Sequence, residues 1–456
     1  MGNYKYFQYL QILKIHYPRR TYKIYFSTSK FKEELMKPSI QTYLRLLCLV
    51  LGIIFLAEAQ AADPVKRYTL LEDKFRTVEM LRAPGHDFLF DVSAWLNADV
   101  QDVIDEAEGL SKTPGDTDAK IAAATAFLNK YDKTEQTLRV NVDFGIPIFS
   151  FSIGGIKFIP DLRFGFNLGF HLGIESRPLT AADIASLVPA EFAEIASCGL
   201  NPTAGQDIVA LYIAAACSDA SEEAAATPYL NKYFWPSNAA TPSLFPYIKG
   251  EAHAGFLVNW IKGENWFGHV NLYALGRSDV ALRVTADTLA RNADTVDLPE
   301  EDNTTVNAST DIQVGYTYNK MTGYASINEI KIATITDNVA KGGETNYGFD
   351  PLIRLHGEYE MELSFLDFKP FAGLHKRKAY DFTDGLYVGA EVGAYVWGDR
   401  LGLMFRGMLD TEHITFTPRA KLWFAQLEYN LKVPVKGEID GVKPSSLHSL
   451  DFRLFF

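Results

Sequence analysis

Residues 161–175 read DLRFGFNLGFHLGIE. Leu162, Phe164, Phe166, Leu168, Phe170, Leu172 and Ile174 alternate without a break with Arg163, Gly165, Asn167, Gly169, His171 and Gly173. Successive side chains of a strand point to opposite faces, so this is one long strand, and no amphipathic helix makes the pattern. One of its faces is large and oily, the other small or polar. A strand of that kind needs hydrocarbon against the first face and water against the second. A transmembrane barrel supplies both, with lipid outside and a polar lumen within. Gly165, Gly169 and Gly173 fall on the inward face. Two readings stay open for them: a smooth lumen wall against which a plug or folded-in loop packs, or relief of strand curvature.

The pattern recurs down the chain. Alternating runs cover residues 87–97, 138–146, 245–260, 266–276, 306–318, 353–365, 386–397, 401–410, 414–433 and 447–456, and a weaker one covers 324–335. The fold class expected is all-β: a transmembrane antiparallel β-barrel of about 12–14 strands, each near the nine to eleven residues a tilted span requires. Counting the ambiguous stretch Ser278–Leu289 makes thirteen strands, yet such barrels carry an even number. One assignment therefore fails, and the two most exposed to error are Ser278–Leu289 and Asp87–Asn97. With 47% hydrophobic and 22% charged residues the composition resembles that of a soluble protein, as it must where half of every strand faces water.

The one helix-like apolar stretch, Leu46–Leu56, is too short to span a bilayer and suits the core of a signal peptide. Lys37 and Arg45 precede it, and small-x-small cleavage sites follow at Ala57–Ala59 and Ala59–Ala61. Residues 1–61 thus read as leader and signal, with Met36 opening a signal of ordinary length; residues 1–35 are either an upstream start or a long basic leader. Those 61 residues hold nine Lys or Arg and three Glu, so the remaining 395 carry −18 rather than −12. That acidity argues against nucleic acid as a partner.

Residues 62–86 are mixed and charged, and read as a periplasmic lead-in or a plug. The barrel follows over 87–456, with helical insertions at 98–136 and 176–243. The first is a helical hairpin broken at Thr113-Pro114-Gly115. The second holds Cys198 and Cys217, an even pair that in an oxidising compartment pairs as a disulfide.

The row Arg354, His356, Glu358, Glu360 and Glu362 cannot sit in hydrocarbon and must face water. With Arg163, His171 and Asp311 it makes the candidate pore lining, joined on the inward faces by Glu251, His253 and His269. Either the glutamates favour cations, or arginines such as Arg163, Arg283 and Arg406 neutralise them. Catalytic signals are weak. His413 beside Asp410 and Glu412 is the nearest thing to a catalytic set, and reads as a solvated loop. No zinc, phosphate-loop or nucleophile-elbow spacing occurs, so neither an enzyme nor a cofactor or metal is expected.

Leu450, Phe452, Leu454 and Phe456 alternate to the last residue, an aromatic. This ending resembles the C-terminal assembly signal of Gram-negative outer-membrane β-barrels, and the mature chain resembles that class as a pattern. More loosely it is similar to fatty-acid-channel and TraF-like barrels. The resemblance implies export to the outer membrane, contact with its lipid and lipopolysaccharide, and insertion by the barrel-assembly machinery. It also implies passage of a small solute as a porin or narrower channel, or else a barrel that anchors a surface receptor or adhesin.

Overall fold

A computed structural model describes residues 64–80, 89–177, 241–286, 303–338, 350–363, 366–396, 401–439 and 441–455. Three helices, α1 (Pro64–Met80), α2 (Val100–Ser111) and α3 (Thr117–Lys130), accompany the strands. In chain order these are β1 (Leu89–Asn97), β2 (Glu135–Pro147), β3 (Ile156–Arg177), β4 (Thr241–Lys262) and β5 (Trp266–Ala281). Then come β6 (Asn303–Tyr318), β7 (Met321–Asn338), β8 (Leu352–Tyr359 continued by Met361–Leu363), β9 (Leu366–Lys376) and β10 (Leu386–Val396). The series ends with β11 (Leu401–Asp410), β12 (His413–Leu422), β13 (Ala425–Pro434) and β14 (Leu447–Phe455).

Each strand pairs antiparallel with the next, and β14 pairs back onto β1 from Leu89↔Phe455 to Asn97↔Leu447. The result is a closed barrel of fourteen strands, so no edge is left unpaired. The even count corrects the sequence reading in two places: the alternation misses β9 (Leu366–Lys376), and the single run 414–433 is two strands, β12 and β13, joined at Trp423-Phe424. Residues 89–97 are a full strand, while most of the Ser278–Leu289 stretch adds none: β5 runs to Ala281, and Val284–Thr285 is only a short extension against β4.

The wall sorts side chains as the alternation requires. On β3, Phe164, Phe166 and Leu168 stand 41–48% exposed on the outside, while Arg163, Asn167 and His171 are buried inside. Outward residues on the last strand include Leu450 and Phe452; Leu454 is half-buried, and Phe456 lies outside the described residues. Among the described residues no helix is long and apolar enough to cross a membrane; the strands provide the apolar band.

The two rims differ. Short turns join β4 to β5, β6 to β7 and β12 to β13 on the rim where β14 ends; Gly263, at φ +64, makes the first of these turns. The aromatic rings of Trp266, Tyr316, Trp423 and Phe424 stand exposed there, with Trp266 and Tyr316 in contact at 4.8 Å. Such rings collect where strand ends meet headgroups. The other rim carries the longer connections, together with the two-residue turn Thr411-Glu412 between β11 and β12. One of the longer connections is the α2–α3 hairpin, in which Asp116 caps α3 by accepting from the Ala119 N–H at 3.0 Å. Val103, Ala124, Phe127 and Leu128 pack this hairpin onto Ile174 and Ala286. Cys198 and Cys217 lie outside the described residues.

Candidate functional site: a helix inside the lumen

Fourteen strands spaced about 4.8 Å apart and tilted about 40° enclose a backbone cylinder roughly 14 Å in radius. A helix with its side chains is about 10–12 Å across, so one helix and the inward side chains fill such a lumen. Helix α1 does this. Twelve of its seventeen residues are buried although it includes Arg67, Glu72, Asp73 and Lys74. A helix buried on every side among charges must meet partners on every side, and it does.

One stripe is apolar. Leu71, Phe75 and Val78, at helical spacing, pack on Trp95, Phe371, Tyr387, Met408 and Leu447 of the wall. Phe75 stacks on Trp95 with ring centroids 4.6 Å apart. Towards the helix start Tyr68 lies against Tyr247, and Leu70 against Ala379 and Tyr380. Each such apolar side chain contributes about 1.5–3 kcal/mol on burial.

The remaining surface is ionic, in two clusters. In the first, Arg67 bridges Glu135 at 2.7 Å and Glu412 at 2.5 Å. Lys74 meets Asp410 at 3.2 Å and Glu412 at 3.1 Å, and Lys432 holds the other oxygen of Asp410 at 3.1 Å. In the second, Glu72 accepts from Lys249 at 2.6 Å and Asn167 at 2.6 Å. Arg76 reaches Glu72 and Glu251 at 2.8 Å each and also meets Glu329, while Arg277 Nε donates to Glu251 at 2.6 Å. Arg377 ties Asp73 at 2.7 Å to Glu329 at 3.0 Å. Buried ion pairs are weak evidence for stability, but removing one partner leaves a stranded charge and costs about 3–5 kcal/mol.

The helix ends are handled by the barrel. Pro64 opens the helix, where its missing N–H costs nothing. The last turn has no basic residue of its own, and the wall supplies three. Arg139 binds Glu79 at 2.5 Å, Arg406 donates to the Val78 carbonyl at 3.3 Å, and Arg354 meets the Met80 sulfur. Cationic groups at a helix C-terminus are the favourable arrangement.

Gly169 faces the hydroxyl of Tyr68, and a methyl group there would overlap it. That settles its role in favour of a wall against which a plug packs. Gly165 is different: His253 and Asp143 fold over it from neighbouring strands. At Gly173 a methyl group would meet only ordinary contact.

The other described candidates belong to the inner face, in different company. Arg163 binds Asp161 at 3.1 Å, and His171 pairs with Thr137 at 3.0 Å. Asp311 accepts from Tyr273 at 2.9 Å and from Asn271. His356 contacts Tyr387 at 3.0 Å and Glu358 at 3.4 Å, and Glu358 has Lys369 within 3.9 Å. The three glutamates do not form one ladder, because β8 is interrupted at Glu360, whose N–H donates to the Lys320 carbonyl. The side chain of Glu362 lies outside the described residues.

One expectation is overturned. The Asp410–Glu412–His413 group is not a solvated loop: all three are 3% exposed or less. The turn folds into the lumen because Arg67, Lys74 and Lys432 draw its carboxylates inward.

The alternation missed Glu329. Two residues of β7, Asn328 and Glu329, oppose Asp311 alone, a β-bulge in which Glu329 takes φ +59 and its N–H donates to Asp311 at 2.7 Å. The bulge turns Glu329 inward, onto Arg76, Arg277 and Arg377. Its signal was available: Ile327 and Ile330 are three apart, with two polar residues together between them.

No family model matches the chain, and no curated protein does. Among solved structures, the transport unit of the autotransporter AIDA-I from Escherichia coli is 6% identical at a TM-score of 0.33, over 87% of this chain and 99% of that one. CdiB from Acinetobacter baumannii is 8% identical at 0.33; the match covers 81% of this chain and 60% of that one. A triple mutant of Rhodopseudomonas blastica porin is 9% identical at 0.25, over 81% and 99%. These are likenesses of fold. The closed even-stranded wall, outward apolar band, aromatic rim and polar interior are the architecture of an outer-membrane β-barrel.

Proposed function

We propose that the protein is an outer-membrane channel for small solutes, kept shut by its own α1 helix. The observation that carries this is the chemistry of the wall behind the plug. With α1 displaced, Glu135, Arg139, Lys249, Glu251, Arg277, Glu329, Arg377, Asp410 and Lys432 would line the opening. A ring of ionic side chains around a lumen wide enough to hold a helix admits water once the helix leaves, whereas a purely structural barrel could close with apolar packing. The function is passive or facilitated passage through that lumen, in a chain that reaches the outer membrane after loss of its signal peptide. No catalytic role is part of the reading.

The test is planar-bilayer conductance of the refolded mature chain beside a form lacking residues 62–80. The mature chain is expected to stay closed with rare openings, and the shortened form to hold a steady, several-fold larger current. A shortened barrel that assembles and still passes no current refutes the channel.

A second reading has its own observation. The α2–α3 hairpin is fastened to the long-loop rim by an apolar seam and turns Asp102, Asp105 and Glu108 to solvent. That suits a surface receptor or adhesin using the barrel as an anchor. Deleting the hairpin would then abolish binding to the cell's partner and leave conductance unchanged.

A further inference from the structure

The direction of α1 within the barrel has a consequence for where the chain begins. Its first turn, at Pro64 and Arg67, sits among Thr134, Glu175, Phe245 and Val442. All four adjoin the long-loop rim: Thr134 precedes β2, Glu175 is near the end of β3, Phe245 near the start of β4, and Val442 is in the connection before β14. The far end of the helix is half-way down the wall, where Glu79 accepts from Ser93 at 2.9 Å and Trp95 at 3.3 Å. From there the chain reaches Leu89, which pairs with Phe455 at the opposite, short-turn rim. Helix α1 therefore enters the lumen from the long-loop mouth and points towards the rim at which β1 begins.

We propose that the mature chain is threaded through its barrel, so that its amino terminus is presented at the long-loop mouth. In barrels of this class short turns face the periplasm and long loops the exterior, which places that terminus at the cell surface. Threading also requires a free end. An uncleaved Leu46–Leu56 segment would have to pass a lumen lined by Glu251, Arg277 and Arg377, and apolar residues carried through a charged passage gain nothing. Removal of the signal peptide thus precedes insertion of α1.

The test uses the full chain expressed in a Gram-negative host, with Cys198→Ser and Cys217→Ser removing the mature thiols. Three single-cysteine versions are compared: a Gly-Ser-Cys-Gly-Ser insert between Asp63 and Pro64, Ala122→Cys on exposed α3, and Ser150→Cys in the exposed β2–β3 turn. Intact and permeabilised cells are treated with a membrane-impermeant maleimide. The insert is expected to label on intact cells together with Ala122→Cys, while Ser150→Cys labels only after permeabilisation. If instead Ser150→Cys labels from outside and Ala122→Cys does not, the barrel orientation is reversed. Threading then still stands if the insert follows Ala122→Cys. An insert that follows Ser150→Cys, or labels in neither condition, overturns threading whether or not the barrel conducts. A peptide ligase added to intact cells making the unmodified chain provides the check free of any insertion. Mass spectrometry should find the tag on the mature α-amine, and its absence there with Ala122→Cys surface-labelled also overturns threading.

Discussion

Gly169→Ala is the smallest change that should loosen the plug without touching its charges. The added methyl would overlap the Tyr68 ring and hydroxyl. Tyr68 cannot retreat easily, because its ring is fully buried and lies 5.5 Å from that of Tyr247. Overpacking of this kind costs about 1–3 kcal/mol. Borne by the seated helix alone, that cost raises the population of open barrels by about 5- to 150-fold. Single-channel recording reads this directly as opening frequency, and heat-modifiable gel mobility checks that the barrel itself is intact. Two comparisons make the result decisive. Gly173→Ala, on the same face, would bring its methyl no nearer than 3.9 Å to the Phe245 Cβ and should change nothing. In a Tyr68→Ala background the clash has no partner, so Gly169→Ala should add little to what Tyr68→Ala does alone. If Gly169→Ala and Gly173→Ala behave alike, or the double variant shows the full additional effect, the helix is not seated on Gly169 and the account of the plug fails.

Asp410→Asn leaves Lys74 and Lys432 facing each other without their shared carboxylate, and should weaken the seated state by about 3–5 kcal/mol. Adding Lys74→Met should recover much of this in the opening frequency, and a simple loss of folding would not be recovered. Phe166→Lys, on the outer face, should lower the folding stability in lipid by about 2–4 kcal/mol when measured by denaturant titration, with no change in gating. In the α2–α3 hairpin, hydrogen bonds from Lys130 and Tyr131 hold the Glu106 carboxyl below the usual carboxylate range. That tie is present above the ordinary carboxylate pKa and is lost as pH falls through the lowered one. Hydrogen exchange in residues 117–130 should therefore stay slow through mildly acidic pH and quicken only below it; quickening near neutrality would contradict the pairing.

The wall was legible because its driving force is local. Each strand carries its own division between hydrocarbon and water, so Leu162 to Ile174 declare their faces without reference to any neighbour. The plug was legible only as one of two options, because nothing local marks α1. Its apolar stripe is short, and its charges read as a solvated segment until Lys249, Glu329, Arg377 and Asp410 arrive from 177 to 336 residues away. The same reason explains His413. A His among carboxylates reads as a loop when the lysine that draws those carboxylates inward, Lys74, is 339 residues distant in sequence. Gly169 held the missing clue in a form that sequence could state but not decide: a gap in the wall implies an occupant without naming it.

The tether decides how such a plug behaves. Met80 and Leu89 are nine residues apart, a span of at most about 30 Å, so a displaced helix stays within reach of the lumen it left. Tethering over that length sets an effective concentration in the millimolar range, and even a weak seat is then occupied nearly all the time. A free peptide of residues 64–80 should accordingly block the barrel lacking 62–80. Half-block is expected at a concentration well above that of the protein, and Asp73→Arg in the peptide should raise it at least tenfold through loss of the Arg377 pair. Restoring the pair with Arg377→Asp in the barrel should reverse the loss. A peptide that fails to block at millimolar concentration, against a tethered helix that does, would show that the closed state is built during assembly rather than reached by binding.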